Sequence, residues 1–147
     1  MPVDKILVTR KINFIGRDLK RLKPISLLNL KEFQKKYEYE ILAERYLERI
    51  IGRMIDINYH LITGLGHLPP KDYFESFVIL GQLKILPQDF TKELADLAGL
   101  RNRLAHEYNG IDEEKVCQAV KRCFSDLPKY LRLINEFVNK TTQKKLV

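Results

Sequence analysis

The sequence predicts an all-α protein, an up-down antiparallel bundle of four to five helices. Three observations carry that expectation. Apolar residues recur at three- and four-residue intervals over long stretches, no stretch sustains the alternation of a strand, and short Pro- or Gly-containing segments separate the periodic ones. Helices joined by short turns usually pack antiparallel. With 147 residues, 45% of them apolar, the chain can build one domain with a real core. That domain is expected over residues 1–140, with a basic tail at 141–147 that frays.

The first helix is expected over about 4–22, where Val8, Ile12, Ile15, Leu19 and Leu22 form one stripe and Pro24 stops the pattern. A second helical stretch runs from Leu30 to about Ile62, with Leu42, Tyr46, Ile50, Ile57 and Leu61 on one apolar line and Gly52 its single interruption. At about 1.5 Å per residue it approaches 50 Å, a length that invites a bend or break near its start. The segment TGLGHLPP (63–70) ends it as a turn; no strand precedes these glycines and no Gly-Lys-Ser/Thr follows, so this is not a phosphate loop. Asp72 is a natural N-cap for a short helix to about Leu83, with Glu75 at the capping-box position. LPQD (86–89) opens a helix that runs to about Glu107, and YNGID breaks it. Asp112 caps the last helix, whose Val116, Val120, Cys123 and Leu127 face the core before Pro128 kinks or divides it.

Lys and Arg total 26 against 19 Asp and Glu, a formal +7 that suits a polyanionic partner but decides nothing about fold. Seven basic and two acidic residues in 1–23 place most of that excess in the first helix, which makes a phosphate-facing surface or a solvated face. No apolar run approaches the roughly 18 residues of a membrane span, and the N-terminus lacks the apolar core of a signal peptide, so a cytoplasmic location without membrane association is expected. Cys117 and Cys123 lie six apart on one helix, about 120° around its axis, which suits neither a disulfide nor a zinc site. With only His60, His67 and His106 besides, no ligand cluster assembles from the spacing, and chemistry without a tightly held metal or cofactor is expected.

One interruption stands out. Phe90, Leu94, Leu97, Leu104 and Tyr108 form a helical stripe that passes through Arg101. A guanidinium keeps its charge at neutral pH, so one facing protein needs a carboxylate, a subunit boundary or an anionic ligand. Asp56, on the long helix four residues before His60, is the preferred counterion; an exposed pair of Asp56 with Arg53 is the alternative. Gly99, costly inside a helix, suggests a close helix approach or dimer seam, or nothing more than drift.

RNRLAHEY (101–108) has the form Arg, four residues, His, one residue, Tyr. With ERYLERIIGRMIDINYHLI and PPKDYFESFVILGQLKILP upstream of it and LAGLRNRLAHEYNGIDEEKV around it, roughly residues 40–120 resemble HEPN-domain proteins, specifically the HepT-like toxins of the MntA/HepT type. The resemblance implies a HEPN-like homodimer in which Arg and His of both subunits line a shared cleft. It implies the toxin component of a type II/VII-like toxin–antitoxin pair, a ribonuclease cutting RNA, with tRNA the favoured substrate. The implied antitoxin is an MntA-like minimal nucleotidyltransferase that silences the toxin by AMPylation of the motif tyrosine. By position these roles fall on Arg101 and His106 as catalytic residues, Asn102 as support and Tyr108 as the modified residue. One departure is Gly52, where the family pattern often carries a glutamate four residues before the aspartate.

The residue types suit the chemistry. Metal-free RNA cleavage needs a proton carrier near neutral pH for the attacking 2′-hydroxyl, which histidine provides, and a permanent planar cation for the charge gathering on phosphoryl oxygens, which arginine provides. Residues five apart on a helix point about 140° away from each other. Either the helix ends before His106 or a second subunit completes the site. The rival reading is a non-catalytic helical module that binds a nucleotide or a nucleotidyltransferase in the same cleft.

Overall fold

The computed structural model describes residues 2–107 and 111–144, and every regular element among them is helical. In order these are α1 (Lys5–Ser26), α2 (Leu30–Gln34), α3 (Tyr37–Gly64), α4 (Tyr73–Gln82), α5 (Gln88–His106) and α6 (Glu113–Lys144). The all-α expectation holds, with six helices instead of four or five. The difference comes from the long second stretch, which breaks near its start: Lys36 adopts extended backbone between α2 and α3. Asn29 and Glu32 form a reciprocal capping box that starts α2 as a unit of its own.

Helix α3 is the central element and packs against all five others. Its Leu47, Ile50, Ile51, Met54, Ile57 and Leu61 are fully buried, whereas Leu42, assigned to the same line, stays exposed and the adjacent Ala43 is buried in its place. Helix α1 runs past Pro24 to Ser26, further than the sequence pattern suggested. The proline lies in the last turn, and the carbonyl it deprives of a partner belongs to the exposed Lys20, where solvent can serve; Ile25 meanwhile buries its side chain in the core. Helix α6 is continuous through Pro128, so the proline does not divide it. It extends to Lys144, with the Thr142 hydroxyl donating to the Val138 carbonyl at 2.9 Å, so 141–144 of the expected tail continue the helix, while 145–147 lie outside the described residues.

Two helix ends explain how α4 and α5 are set against α3. Helix α3 closes with the His67 N–H donating to the Ile62 carbonyl and the Gly66 N–H to that of Thr63, the two bonds of a Schellman motif, with Gly66 at φ +89°. Asp72 then accepts from the Glu75 N–H at 2.8 Å to start α4. Glu75 reaches back to the Lys71 N–H instead of that of Asp72, a shifted version of the expected capping box. Helix α4 ends in the same two-bond way, with Lys84 at φ 60°. At the α4–α5 crossing a Cβ on Gly81 would lie 2.5 Å from Thr91 Oγ1, so the helices meet closely at this glycine. Gly99, by contrast, has open space where its Cβ would be, so within the chain it marks no close helix approach.

A buried polar chain ties three helices together. The Tyr130 hydroxyl of α6 bonds Asn58 Oδ1 of α3 at 2.7 Å, Asn58 Nδ2 donates to Ser76 Oγ of α4 at 3.2 Å, and Ser76 Oγ donates to the Tyr73 carbonyl at 2.7 Å. All three side chains are fully buried, so each bond offsets a desolvation cost that water cannot relieve. Tyr130→Phe is expected to lower unfolding free energy by about 1–3 kcal/mol, because Asn58 keeps its buried oxygen and loses the hydroxyl. Urea titration monitored by circular dichroism checks this; an unchanged midpoint would mean that the polar chain carries no net stability.

Candidate functional site

The Arg-x4-His segment lies on the last two turns of α5, and its Arg101 turns toward Tyr73 at the start of α4. A groove of about 300 Å³ opens there, and Arg45, Arg49 and Arg53 of α3, Tyr59, Tyr73 and Arg101 are among the side chains that line it. The arginines at 45, 49 and 53 are four residues apart, so they rise along one face of α3 in steps of about 6 Å.

Arg101 is half-buried, and among the described residues it has no carboxylate within ion-pair distance. Its guanidinium carbon sits 5.4 Å from the centre of the Tyr73 ring, a cation–π contact that holds the side chain without neutralising it. Tyr73 in turn packs edge-on against Tyr59, with ring centres 6.2 Å apart. Burial, reinforced by Tyr73, Asp72 and Glu75, raises the Tyr59 phenol above its usual range.

The structure corrects the preferred counterion. Asp56 lines the same groove as Arg101 but pairs with Lys11 of α1 at 3.3 Å, its side chain 59% exposed. Arg53, the alternative partner, reaches Asp18 of α1 instead, at 2.8 Å. Asp18 is the feature that sequence reasoning missed. Its side chain is 1% exposed and is ringed by Arg53, Arg49 at 3.1 Å and Arg21 at 3.6 Å. Buried charges persist only when paired and hydrogen-bonded, and here one carboxylate holds the inner edges of two groove arginines.

His106 is the final residue of α5 and is exposed; Glu107 already has extended backbone. Because the helix includes His106, it does not end before that residue, and within one chain Arg101 and His106 diverge by about 140°. The structure therefore brings Arg101 and Asp56 to one groove but does not bring His106 to it. Asn102 is exposed beside Arg101, and its side chain makes no hydrogen bond among the described residues. Tyr108, the expected modification site, lies outside the described residues. His60 plays a structural part. Its Nε2 accepts from the Asp4 N–H at 2.8 Å, and burial lowers its pKa, which keeps the ring in the neutral form that this bond requires.

Gly52 lines the groove, and a Cβ there would meet nothing within 4 Å. Gly52→Ala is expected to raise unfolding free energy by about 0.5–1 kcal/mol, since alanine restricts the unfolded chain and clashes with nothing. A thermal melt checks this, and a lower midpoint would reveal a contact that the open space does not suggest.

Known proteins match this chain in both sequence and fold. The family model described as "Ribonuclease HepT-like" matches residues 15–134. A tRNA nuclease HepT of Aphanizomenon flos-aquae is 33% identical over 136 residues, covering 92% of each chain. An mRNA nuclease HepT of Shewanella oneidensis is 23% identical over 128 residues, covering 87% of this chain and 96% of its own. Among solved structures, a tri-AMPylated HEPN toxin of Shewanella oneidensis in complex with an MNT antitoxin superposes with a TM-score of 0.79 at 23% identity, covering 88% of this chain and 97% of that one. The cytosolic protein YutE of Bacillus subtilis does so at 0.81 and 19%, covering 94% and 92%. The structural likenesses speak for the fold; the family model and the 33% relative, both spanning the arginine groove and the Arg-x4-His segment, speak for descent. The chain belongs to the HepT-like ribonuclease family.

Proposed function

We propose that this chain is a metal-independent endoribonuclease and the toxin of a toxin–antitoxin pair, acting as a homodimer on RNA, with tRNA the favoured class. The observation that carries the reading is Arg101: a permanent cation on an arginine-lined groove, fixed by Tyr73 and left without a carboxylate among the described residues. A cation held this way is available to a phosphate. The tRNA preference draws on the relative from Aphanizomenon, named a tRNA nuclease, and stands against the Shewanella relative, named an mRNA nuclease.

In the proposed reaction a histidine removes the proton of a ribose 2′-hydroxyl as that oxygen attacks the adjacent phosphorus. The P–O5′ bond breaks, the 5′-oxygen leaves with a proton supplied by an acid, and a 2′,3′-cyclic phosphate remains. Arg101 offers paired donors to the phosphoryl oxygens as their charge grows. His106 supplies the proton transfer, and its divergence from Arg101 favours a site completed by the second subunit. Silencing by a minimal nucleotidyltransferase that adds AMP to Tyr108 completes the proposal; the Shewanella toxin, tri-AMPylated in its complex with an MNT antitoxin, supports it.

Purified unmodified chain is expected to cleave RNA in the presence of EDTA and to leave 2′,3′-cyclic phosphate ends, identified by mass spectrometry of the fragments. Activity that appears only on adding a divalent metal would overturn the metal-independent mechanism.

A further inference from the structure

We propose that Asp18 is a positioning residue that aims Arg49 and Arg53 at the RNA backbone, so that the α3 face beside Arg101 forms a track for phosphates flanking the bond to be cut. This rests on the ribonuclease reading of the groove and adds residues to it. An ordinary buried ion pair needs one arginine, yet Asp18 gathers three, and its Oδ1 still has no hydrogen bond among the described residues. The cluster therefore carries more positive charge than the carboxylate neutralises.

The surplus borders a groove whose own carboxylates, Glu48 and Asp56, are already paired, with Arg45 at 3.4 Å and Lys11 at 3.3 Å. Arg49 and Arg53 keep 34% and 23% of their side chains exposed while lining the groove. Each guanidinium has five N–H donors in a rigid fork, so the edge turned to Asp18 leaves others for a ligand. Arg53 is held on a second side as well, with its guanidinium carbon 4.7 Å from the centre of the Phe14 ring. Two pinned forks one helical turn apart, about 6 Å along the axis, can each meet one of two neighbouring phosphates on a strand. The same groove offers the partly exposed Tyr59 ring, an aromatic surface of the kind on which an unpaired base stacks. RNA fits this combination better than an acidic protein surface, whose carboxylates have no such repeat.

The test uses the full-length His106→Ala chain, which should bind RNA without cutting it, and a short fluorescein-labelled single-stranded RNA followed by anisotropy between about 50 and 200 mM KCl. Arg49→Gln and Arg53→Gln should each weaken binding about tenfold and reduce the slope of log affinity against log salt by about 0.7. Arg49→Lys, which keeps the charge and loses the fork, should recover the slope but only part of the affinity. Asp18→Asn gives the sharpest sign. Removing a negative charge beside a polyanion would tighten binding if only net charge mattered, whereas loss of positioning should weaken it by roughly three- to tenfold. Thermal melts confirm that each variant is folded; should Asp18→Asn fail to fold, Asp18→Glu, which keeps the charge and displaces the carboxylate by one methylene, takes its place and should likewise weaken binding, and unchanged or tighter binding in a folded variant at this position would overturn the positioning role.

Wild-type affinity and slope in both glutamine variants would overturn the track. So would glutamine variants that bind RNA normally but lose a co-expressed nucleotidyltransferase, since that result makes the face a protein-docking surface. RNA binding that depends on Arg49 and Arg53 in a chain that never cleaves RNA, when His106 is restored, would leave the track standing and refute the ribonuclease reading instead.

Discussion

Arg101→Ala is expected to lower RNA cleavage by about 10²–10³-fold, the usual loss when one pre-aimed donor to a developing oxyanion is removed. His106→Ala is expected to cost about 10²–10⁴-fold, the usual contribution of a positioned proton carrier. Neither change should unfold the chain: Arg101 gives up a ring contact but no ion pair among the described residues, and His106 is exposed at a helix end. The two variants become more informative when mixed. Since the pair diverges by about 140° within one chain, a two-fold dimer is the arrangement that lets the arginine of one subunit meet the histidine of the other. Refolding the two inactive variants together should then yield mixed dimers with one intact composite site, and activity should return to on the order of a quarter of wild type. If mixing restores nothing although mixed dimers form, as judged by affinity tags on the two variants, the pairing across subunits is wrong.

Most of the helices were legible because burial on one side imposes a period. Ile15, Leu22, Ile50, Ile57, Leu61, Val116, Val120, Cys123 and Leu127 all lie in the core that the stripes of the sequence assigned to them. Element boundaries were less legible where a local rule competes with packing. Pro24 ends a helix by its own chemistry, but in the last turn the missing bond falls on an exposed carbonyl, and burial of Ile25 carries the helix onward. The break before Tyr37 has no proline or glycine to announce it, and Lys36, extended at the start of α3, makes no side-chain cap bond that could have marked it; only the length of the stretch pointed to a break.

At the site, Arg101 was found because a charge interrupted an apolar stripe. The same test applied to α1 would have found Asp18, which falls between Ile15 and Leu22 at helical spacing and is fully buried. Its partners were harder to assign. Asp18 attracts Arg49 and Arg53, and Asp56 consequently faces Lys11, because which carboxylate meets which cation depends on how α1 lies across α3. Spacing along one helix cannot report that relation. The divergence of Arg101 and His106, on the other hand, followed from spacing alone once the end of α5 was known.

Modification of Tyr108 should abolish RNA cleavage without unfolding the chain, and this expectation stands on a different basis than continuous helical geometry would give. On an uninterrupted helix Tyr108 would fall within about 20° of Arg101, but α5 ends at His106 and Glu107 is extended, so that angular relation does not carry over. Chain connectivity still binds the tyrosine to the site, because two residues past His106 its Cα can be no more than about 7 Å from that of the histidine. Each AMP attached to a phenol at that distance brings a phosphodiester charge and a nucleoside. Both would compete for the cations that an RNA phosphate needs, while the added bulk obstructs the approach to His106. The chain co-expressed with a cognate nucleotidyltransferase should therefore gain mass on the peptide containing Tyr108 and lose cleavage activity by at least the factor lost in His106→Ala, with its helical circular dichroism and melting point retained. Tyr108→Phe should keep cutting RNA in the presence of the transferase, since a ring without the hydroxyl cannot accept AMP. Mass on a different residue, or a Tyr108→Phe chain that the transferase still silences covalently, would place the switch elsewhere; a modified Tyr108 that leaves cleavage intact would show that the hydroxyl lies away from the path of the RNA.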